Sequence, residues 1–515
     1  MDYREVFNRG LRHCPDKDVI VDGERRFTYR QWGERHRRLA NALLGLGLKK
    51  GDHLGLLLKN SAECFDAYAA GAVTGIVVVP INYRLSAEAI AHILEQTGCR
   101  ALVIDAEFLD LVRERRPRLP RLETLIVVGA DAASELAYEA LLAAASAVEP
   151  QAEHADDDPA VVIYTTGTTG APKGAVATRQ IMLTRMLIII IEMGLGPQDR
   201  YLNAMPIFHI GIVQALALIW RCGTNITLRD FTADSFGRDA ARYGATKTFL
   251  TPAAINAVLN SPQTAPSDLA SLKLILYGAA PMPPETLKRV ARTIPGCGLL
   301  QAYGTSECYA LIYLSPAEHQ AALDGDERAQ SRMASVGRTG MLAQAKVVRE
   351  DHSEAPIGEV GEVLLKSRAI MSGYLGKAAE TAEAIRGGWF RTRDLARVDA
   401  DGYVYLVDRK DHMIITGGEN VYPAQVENVL YDHPAVAEAA VIGVPDTTWG
   451  EAVKALIVLK AGEQLSERDV IDFCAPRMAG YAKPKSVEFV SELPHTATGK
   501  LDKLALRRQY WPGSG

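Results

Sequence analysis

Several features that mark protein classes are missing from this sequence. Its seven cysteines (Cys14, Cys64, Cys99, Cys222, Cys297, Cys308 and Cys474) are odd in number and scattered, with no Cys-x-x-Cys pair. That pattern gives no zinc framework and reads as reduced thiols in a cytoplasmic protein. Positive charge is not in surplus either: 57 Lys and Arg against 62 Asp and Glu leave a net charge of −5. A nucleic-acid partner held by bulk charge is therefore not expected, and any polyanion must be gripped locally. Long apolar runs are absent. The greasiest, Met186 to Ile191, is stopped by Arg185 and Glu192, far short of the roughly 20 residues of a membrane span. The opening Met1-Asp2-Tyr3-Arg4-Glu5 carries acid at once, so no leader peptide is expected.

What is present is an ordinary globular balance, 48% hydrophobic and 23% charged over 515 residues, enough for about three to four domain-equivalents. Helical periodicity over Trp32–Leu48 and short apolar strand candidates at His53–Leu58, Gly75–Ile81, Ala101–Asp105 and Leu125–Val128 predict α/β layers around partly parallel sheets. An Ala-rich stretch from Ala132 to Pro150 predicts a surface helix, followed by a short acidic loop, Glu153 to Asp158. Asp401-Gly402 predicts a hairpin turn, and the charged Asp408-Arg409-Lys410-Asp411 marks a change of texture. The expected organisation is a large domain, 1–408, and a small α+β domain, 409–515, with 107 residues. A cleft between two such bodies is a natural site.

The strongest local signal is Tyr164-Thr165-Thr166-Gly167-Thr168-Thr169-Gly170-Ala171-Pro172-Lys173-Gly174, with three glycines, four threonines and a lysine in eleven residues. A strand candidate, Ala160–Tyr164, runs into it. Glycines let backbone N–H groups approach anionic oxygens, hydroxyls add donors, and lysine adds charge. A Walker A loop needs Gly directly before Lys and Ser or Thr after it; here Pro172 and Gly174 hold those positions.

This block resembles the phosphate-binding signature of the adenylate-forming superfamily, which holds acyl-CoA synthetases, luciferases and the adenylation domains of peptide synthetases. Further blocks follow in family order. Tyr277-Gly278-Ala279-Ala280-Pro281 resembles the adenine-wall segment, and Gln301-Ala302-Tyr303-Gly304-Thr305-Ser306-Glu307 the Tyr-Gly-x-Thr-Glu block, with Ser306 at the Thr position. Trp389-Phe390-Arg391-Thr392-Arg393-Asp394 resembles the Thr-Gly-Asp block. Asp408 to Asp411 resembles the interdomain hinge, and Pro494-His495-Thr496-Ala497-Thr498-Gly499-Lys500 the closing lysine loop. The resemblance implies an α/β, α+β multidomain adenylate-forming fold: a large N-terminal domain of layered sheets and helices with a small mobile α+β C-terminal domain.

It also implies a reaction. A carboxylic acid and ATP give acyl-adenylate and pyrophosphate, then a thiol gives the thioester and AMP. A carboxylate must approach the α-phosphate, so positive charge is needed there and along the leaving pyrophosphate. Lys500 and a magnesium ion (Mg2+) are the candidates. Glu307 is a hard oxygen donor suited to that metal, and the Ser306 hydroxyl can reach a phosphate oxygen. Tyr303 offers a flat face to the adenine. Asp394 and Arg409 are the ribose candidates, a carboxylate for two hydroxyls beside a donor fork; a structural ion pair is the plain alternative. In the family the small domain swings about the hinge, with Asp411 by position the pivot. Ile414 to Asn420 then lines the pantetheine passage, where Gly417 and Gly418 suit a thin thiol arm or simply a hairpin turn. Coenzyme A phosphates have Arg84, Arg477, Lys483 and Lys485 as candidates by family position. Gly480 and Ala482 depart from the Arg and Lys of many relatives, Thr166 replaces a common Ser, and Arg393 replaces the usual Gly.

Met205-Pro206-Ile207-Phe208-His209-Ile210-Gly211 resembles the block that opens the acyl pocket. Amino-acid activators carry Phe-Asp there, because their ammonium needs a carboxylate; His209 disfavours such substrates and suits a gating role, with a core histidine as the plain alternative. Ile210, Ile212, Val213, Leu250, Ala302, Tyr309 and Leu311 favour an acid with an apolar tail. A medium- or long-chain fatty acid ranks first and a benzoate- or coumarate-like aryl acid second. The other readings are a stand-alone adenylation enzyme loading a carrier protein, a luciferase-like oxidase, and a regulatory protein with a dead site. Five arginines between Arg113 and Arg121 form a solvated loop or a weak membrane-surface contact, and a homodimer is compatible with the sequence.

Overall fold

The computed structural model describes residues 2–129, 135–165, 172–209, 211–280, 282–495 and 501–511. Packing divides the chain into two compact units, Met1–Ala345 with Leu365–Phe390, and Lys346–Leu364 with Arg391–Gly515. The expected division at 408/409 falls inside the second unit, because the antiparallel pair Trp389–Val398 and Val404–Arg409 spans it.

The first unit is built on two large sheets. In one, strand order among the described residues is Gly373–Tyr374, Lys173–Thr178, Pro159–Thr165, Val77–Pro80, His53–Leu57, Ala101–Asp105, Thr124–Val128 and Leu136–Ala137. From Pro159–Thr165 to Leu136–Ala137 the pairing is parallel; the two pairs at the other edge are antiparallel. Ala101–Asp105 is buried throughout, which is why Ala101 to Ile104 reads as an apolar run rather than an alternation, with only the terminal Asp105 polar. The second sheet runs Arg338–Thr339, Tyr309–Leu314, Gly298–Thr305, Leu274–Gly278, Lys247–Leu250, Arg200–Asn203, Thr224–Thr227, Asp18–Asp22 and Arg25–Thr28.

Helices cover these sheets and follow their own local signals. Thr28 caps Tyr29–Gly45 in a reciprocal capping box with Gln31. The Met186–Ile191 run lies inside the helix Arg179–Met193, most of which is buried, and the wholly buried helix Ile212–Trp220 packs on it. Ile212–Trp220, apolar at every position but Gln214, is a core element. Among the described residues no helix is long and apolar enough to cross a membrane.

One expectation is corrected. Among the described residues of the expected Ala132–Pro150 helix, only Tyr138–Ala144 is helical. Before it, Leu136–Ala137 joins the sheet beside Thr124–Val128. After it, the Ala145 carbonyl accepts from Arg38 at 2.6 Å, while Asn41 Nδ2 donates to the carbonyls of Ser146 and Val148, each at 2.7 Å. Tertiary hydrogen bonds thus take groups that alanine propensity alone would put in a helix. The arginine-rich segment is largely paired: Arg113 and Arg116 share Glu135 at 3.5 and 3.3 Å, and Arg118 meets Glu88 at 2.8 Å.

In the second unit, Ile414–Thr416, Glu419–Val421, Val436–Asp446, Gly450–Leu459 and Ser486–Phe489 form a sheet. The helices Pro423–Tyr431 and Glu467–Cys474 bury Val426, Leu430, Val470 and Cys474 with Val441, Val453 and Ile457 of its strands. The expected alternation of strand and helix is present.

Candidate active site

The strands Arg200–Asn203, Lys247–Leu250, Leu274–Gly278 and Gly298–Thr305 run parallel. The segments Met205–His209, Gly278–Ala280 and Tyr303–Glu307 therefore leave one sheet at its carboxyl edge, where open α/β sheets bind ligands. Register pairs Tyr277 with Gln301 and Gly278 with Ala302. A Cβ on Gly278 would meet the Ala302 carbonyl oxygen at 2.4 Å, so the two segments touch backbone to backbone. Ala279 takes a left-handed φ of +69°, and Ala279 and Ala280 are exposed. Behind them the Tyr277 hydroxyl lies 2.7 Å from His319 Nε2 and 3.3 Å from Gln301 Oε1, and His319 Nδ1 lies 2.8 Å from the Ser315 carbonyl. A carbonyl only accepts, so the network assigns the hydrogen to Nδ1 and leaves Nε2 to accept from Tyr277. Burial lowers the His319 pKa and keeps the ring neutral.

Past Tyr303, Gly304 has no room for a side chain: a Cβ there would stand 1.7 Å from the Tyr309 carbonyl oxygen. The chain turns through Ser306, Glu307 and Cys308, and Thr305 pairs with Tyr309 across the turn. The Tyr374 hydroxyl donates to Glu307 Oε1 at 2.9 Å. The Glu307 carbonyl accepts from the Met371 amide at 2.6 Å and from Arg185 at 3.0 Å. Arg185 also donates to the carbonyls of Ser306 at 3.3 Å and Ala369 at 2.9 Å. Burial lowers the Arg185 pKa to about 10, which leaves it charged at neutral pH. Lys173 Nζ stands 5.4 Å from the centre of the Tyr374 ring, within cation–π range.

Lys173, Ser306 and Glu307 are thus linked through Tyr374 and Arg185, two residues that sequence reasoning did not place in the site. The available signals were an arginine interrupting an apolar helix and a tyrosine after Gly373. Among the described residues no group of three or more His, Cys, Asp or Glu could hold a metal. A single carboxylate such as Glu307 still fits magnesium, which takes one or two carboxylates and completes its shell with phosphate oxygens and water.

The expected phosphate loop joins Pro159–Thr165 to the antiparallel Lys173–Thr178, with Thr165 opposite Lys173 and its hydroxyl 3.4 Å from the Lys173 carbonyl. Thr166, Gly167, Thr168 and Thr169 lie outside the described residues, as do Lys500, Ile210 and Pro281.

The loop expected on the acyl side is held by the buried Asn60, which donates to the carbonyls of Asn203 at 3.3 Å and Met205 at 3.0 Å and accepts from the Ile207 amide at 2.9 Å. Phe208 meets Tyr83 edge-on at 5.3 Å, and Tyr83 stacks on Phe108 at 5.4 Å. Asn82, Thr165, Pro172, Phe208 and His209 line one small cleft, which places His209 beside the end of the phosphate-loop strand. The Ile212 amide donates to the His209 carbonyl at 3.3 Å. Ile212, Val213, Leu250, Tyr309 and Leu311 are buried and Ala302 half-buried. Arg84 is exposed, its guanidinium carbon 5.6 Å from the Tyr83 ring. A wider depression lined by Thr232, Asp234, Arg238 and Arg242 shares no residue with these motifs.

In the second unit Asp394 faces Arg409 across antiparallel strands, with Arg409 Nε 3.1 Å from Asp394 Oδ1. Thr392 steadies this strand: its hydroxyl accepts from the Asp394 amide at 3.0 Å and donates to the Val363 carbonyl at 2.8 Å. Arg393 adopts φ +62°, the region where glycine is at ease, and its guanidinium clasps the Asp411 carboxylate. The departure from glycine is therefore conformationally costly and is coupled to the expected pivot. Asp408 accepts from the Ala424 amide at 2.7 Å. Burial would raise its pKa, but the hydrogen bond from His412 and the charge of Lys503 hold it below the usual carboxylate range.

Gly417 and Gly418, at φ +59° and +83°, form the two-residue tip between Ile414–Thr416 and Glu419–Val421. A Cβ on Gly417 would also press on the Trp449 ring at 2.8 Å. Arg477 lies over Phe473 at 3.8 Å and Lys485 over Trp449 at 5.9 Å. Lys483 is half-buried, its amide donating to the Ala479 carbonyl at 3.3 Å. Arg477, Lys483 and Lys485 thus share this unit, each engaged in its own local contact.

The sequence signature of AMP-binding enzymes matches residues 7–375, and that of the AMP-binding enzyme C-terminal domain matches 425–500. A feruloyl-CoA synthase of an Amycolatopsis species is 32% identical over 509 residues, covering 98% of each chain. A fatty acid–[acyl-carrier-protein] ligase, ScoC, of Streptomyces coeruleorubidus is 34% identical over 512 residues, covering 98% of this chain and 95% of that one. Among solved structures, the anthranilate CoA ligase AuaEII in complex with anthranoyl-AMP aligns with a TM-score of 0.87 and 29% identity, over 99% of this chain and 97% of that one.

Proposed function

The chain belongs to the AMP-binding enzyme family of the adenylate-forming superfamily and is an acid–CoA ligase; on that premise we propose that it joins a medium- or long-chain fatty acid to coenzyme A in the cytoplasm. The observation that carries the choice of acid is the His209 loop. It is pinned by Asn60 and leads into a helix, Ile212–Trp220, with every residue buried and an apolar face to offer a tail. No carboxylate stands at position 209 to receive an ammonium.

In this reading ATP lies across the carboxyl edge of the sheet. Gly278 to Ala280 and Tyr303 flank the adenine, with Gln301, Ala302, Gly304 and Thr305 shaping that wall by backbone contact. Thr165 to Thr169 and Lys173 hold phosphate oxygens, and Ser306 donates to one of them. A magnesium ion held through Glu307 would neutralise charge on the phosphates as pyrophosphate leaves. Asp394 accepts from the ribose hydroxyls while Arg409 keeps its carboxylate oriented, and Lys500 supplies charge to the carboxylate as it attacks. Residues 409–515 act as the lid, with Asp411 the pivot, and Gly417, Gly418, Arg84, Arg477, Lys483 and Lys485 serve the coenzyme A arm and phosphates. His209 gates the acyl entrance.

Two other readings have support. The Tyr83, Phe108 and Phe208 rings beside His209, with the feruloyl and anthranilate relatives, favour an aryl acid. The carrier-protein ligase among the relatives favours a protein-bound thiol. The test incubates the protein with Mg·ATP and a panel of fatty, aryl, dicarboxylic and amino acids, with coenzyme A or a carrier protein as acceptor. Pyrophosphate release, with AMP appearing in step with thioester, is expected and is greatest for fatty acids with coenzyme A. ADP and phosphate as products would overturn the assignment, and a best rate with an aryl acid would replace the fatty acid.

A further inference from the structure

We propose that Tyr374 and Arg185 are positioning residues that aim the Glu307 carboxylate at the metal-bound nucleotide. The inference rests on the reading of Glu307 as the magnesium carboxylate.

Arg185 is 1% exposed, in the middle of the buried helix Arg179–Met193. A buried cation is expensive unless its donors are met. Among the described residues no carboxylate lies within ion-pair distance of it; all its hydrogen bonds go to the backbone carbonyls of Ser306, Glu307 and Ala369. A helix needing only core volume at that point would carry leucine. The guanidinium instead fastens the turn that bears Glu307 to a segment 62 residues further along the chain, at Ala369.

That second segment then returns to Glu307 twice. The Met371 amide donates to the Glu307 carbonyl at 2.6 Å, and the Tyr374 hydroxyl donates to Oε1 at 2.9 Å. The backbone of Glu307 is thereby held from two sides and its carboxylate fixed in rotation by one oxygen, which leaves Oε2 as the metal donor. Tyr374 is itself placed by its pairing with Ala175 in the strand that begins at Lys173, so the metal carboxylate and the phosphate-loop lysine share one support. A carboxylate already aimed loses less rotamer freedom on coordination.

The full-length protein is titrated with Mn2+ in the presence of a non-hydrolysable ATP analogue and without any acid, following free Mn2+ by electron paramagnetic resonance. Glu307→Gln serves as reference. Tyr374→Phe should weaken Mn2+ binding by about three- to tenfold, the range of one lost ordinary hydrogen bond. It should also raise the Mg2+ concentration for half-maximal pyrophosphate release by a similar factor, with kcat at saturating Mg2+ within about twofold of the parent. Arg185→Met should weaken binding further, and Arg185→Lys should recover part of the loss. Unchanged Mn2+ binding in Tyr374→Phe, with Glu307→Gln weakened, overturns the inference alone. Unchanged binding in Glu307→Gln overturns the reading of Glu307 itself. Should the Arg185 variants fail to fold, Tyr374→Phe decides.

Discussion

Arg393 clasps Asp411 across eighteen residues of sequence, with Nε 3.1 Å from each carboxylate oxygen, while its own backbone sits at φ +62°. The two facts pull in opposite directions. A non-glycine residue in the left-handed region costs about 1–2 kcal/mol, whereas an exposed ion pair returns only about 0.2–1 kcal/mol. Replacing Arg393 by glycine removes both, and adds about 0.5–1 kcal/mol of unfolded-state entropy. Arg393→Gly is therefore expected to change unfolding free energy by less than about 1 kcal/mol in urea titrations. It should also make thioester formation from preformed acyl-adenylate less sensitive to salt, because the pair at the proposed pivot is gone. A loss of several kcal/mol would show that the pair carries far more than an exposed contact should.

Gly304 and Gly402 separate two reasons for a glycine. At Gly402 the φ is +83° and the space around a built Cβ is open, so Gly402→Ala should cost only about 1 kcal/mol of backbone preference. At Gly304 the φ is unremarkable but a Cβ would stand 1.7 Å from the Tyr309 carbonyl, so the strand pair must part. Gly304→Ala should destabilise by about 1–3 kcal/mol and, by shifting the turn that carries Ser306 and Glu307, lower pyrophosphate release at least tenfold. Equal stabilities and rates for the two variants would contradict this division.

The blocks at Tyr164–Gly174, Gln301–Glu307 and Asp408–Asp411 were legible because each packs unusual residue types into a few positions, and Ala101–Asp105 because a strand buried on both faces is apolar at every position up to its terminal aspartate. The support beneath Glu307 was not legible. Arg185 and Tyr374 approach it from 122 and 67 residues away, and nothing in local composition says that a helix arginine seeks a distant carbonyl. The shortened helix at Tyr138–Ala144 fails for the same reason: Arg38 and Asn41 reach its expected continuation only after the chain has folded. The meaning of Arg393 was hidden too, since φ is a property of the folded turn and not of the residue type.

His36 sets a pH dependence remote from the site. It is fully buried against Trp32, their ring centres 4.9 Å apart. Burial, aided by the Arg37 charge, pushes its pKa down to about 3 from an ordinary 6.5, with a contact from the Trp32 backbone working the other way. Because the folded state resists protonation more than the unfolded chain, the stability associated with neutral His36 is fully present above pH 6.5. It is lost progressively as pH falls towards 3. The urea midpoint of the parent should fall more steeply between pH 7 and pH 4.5 than that of His36→Leu. Parallel pH profiles for the two proteins would show that the imidazole titrates as freely when folded as when unfolded.

Lys500 offers the sharpest separation of the two half-reactions. Its place in Thr498-Gly499-Lys500 is the basis for giving it the charge that meets the attacking carboxylate, a need that exists only while two anions are being forced together. Once the acyl-adenylate exists, the thiol gives up its proton and attacks the acyl carbon, the acyl–phosphate C–O bond breaks to release AMP, and the lysine charge has no comparable task. Lys500→Ala should accordingly lower acid-dependent pyrophosphate release by at least about a hundredfold, the scale of losing one preorganised electrostatic contact. Thioester formation from chemically supplied acyl-adenylate should stay within a few-fold of the parent. Asp411→Pro, which restricts backbone rotation at the proposed pivot, should show the inverse pattern, sparing adenylate formation and slowing thioester formation. If both variants lose both half-reactions equally, the lysine and the pivot do not belong to two alternating arrangements, and the lid must act in one.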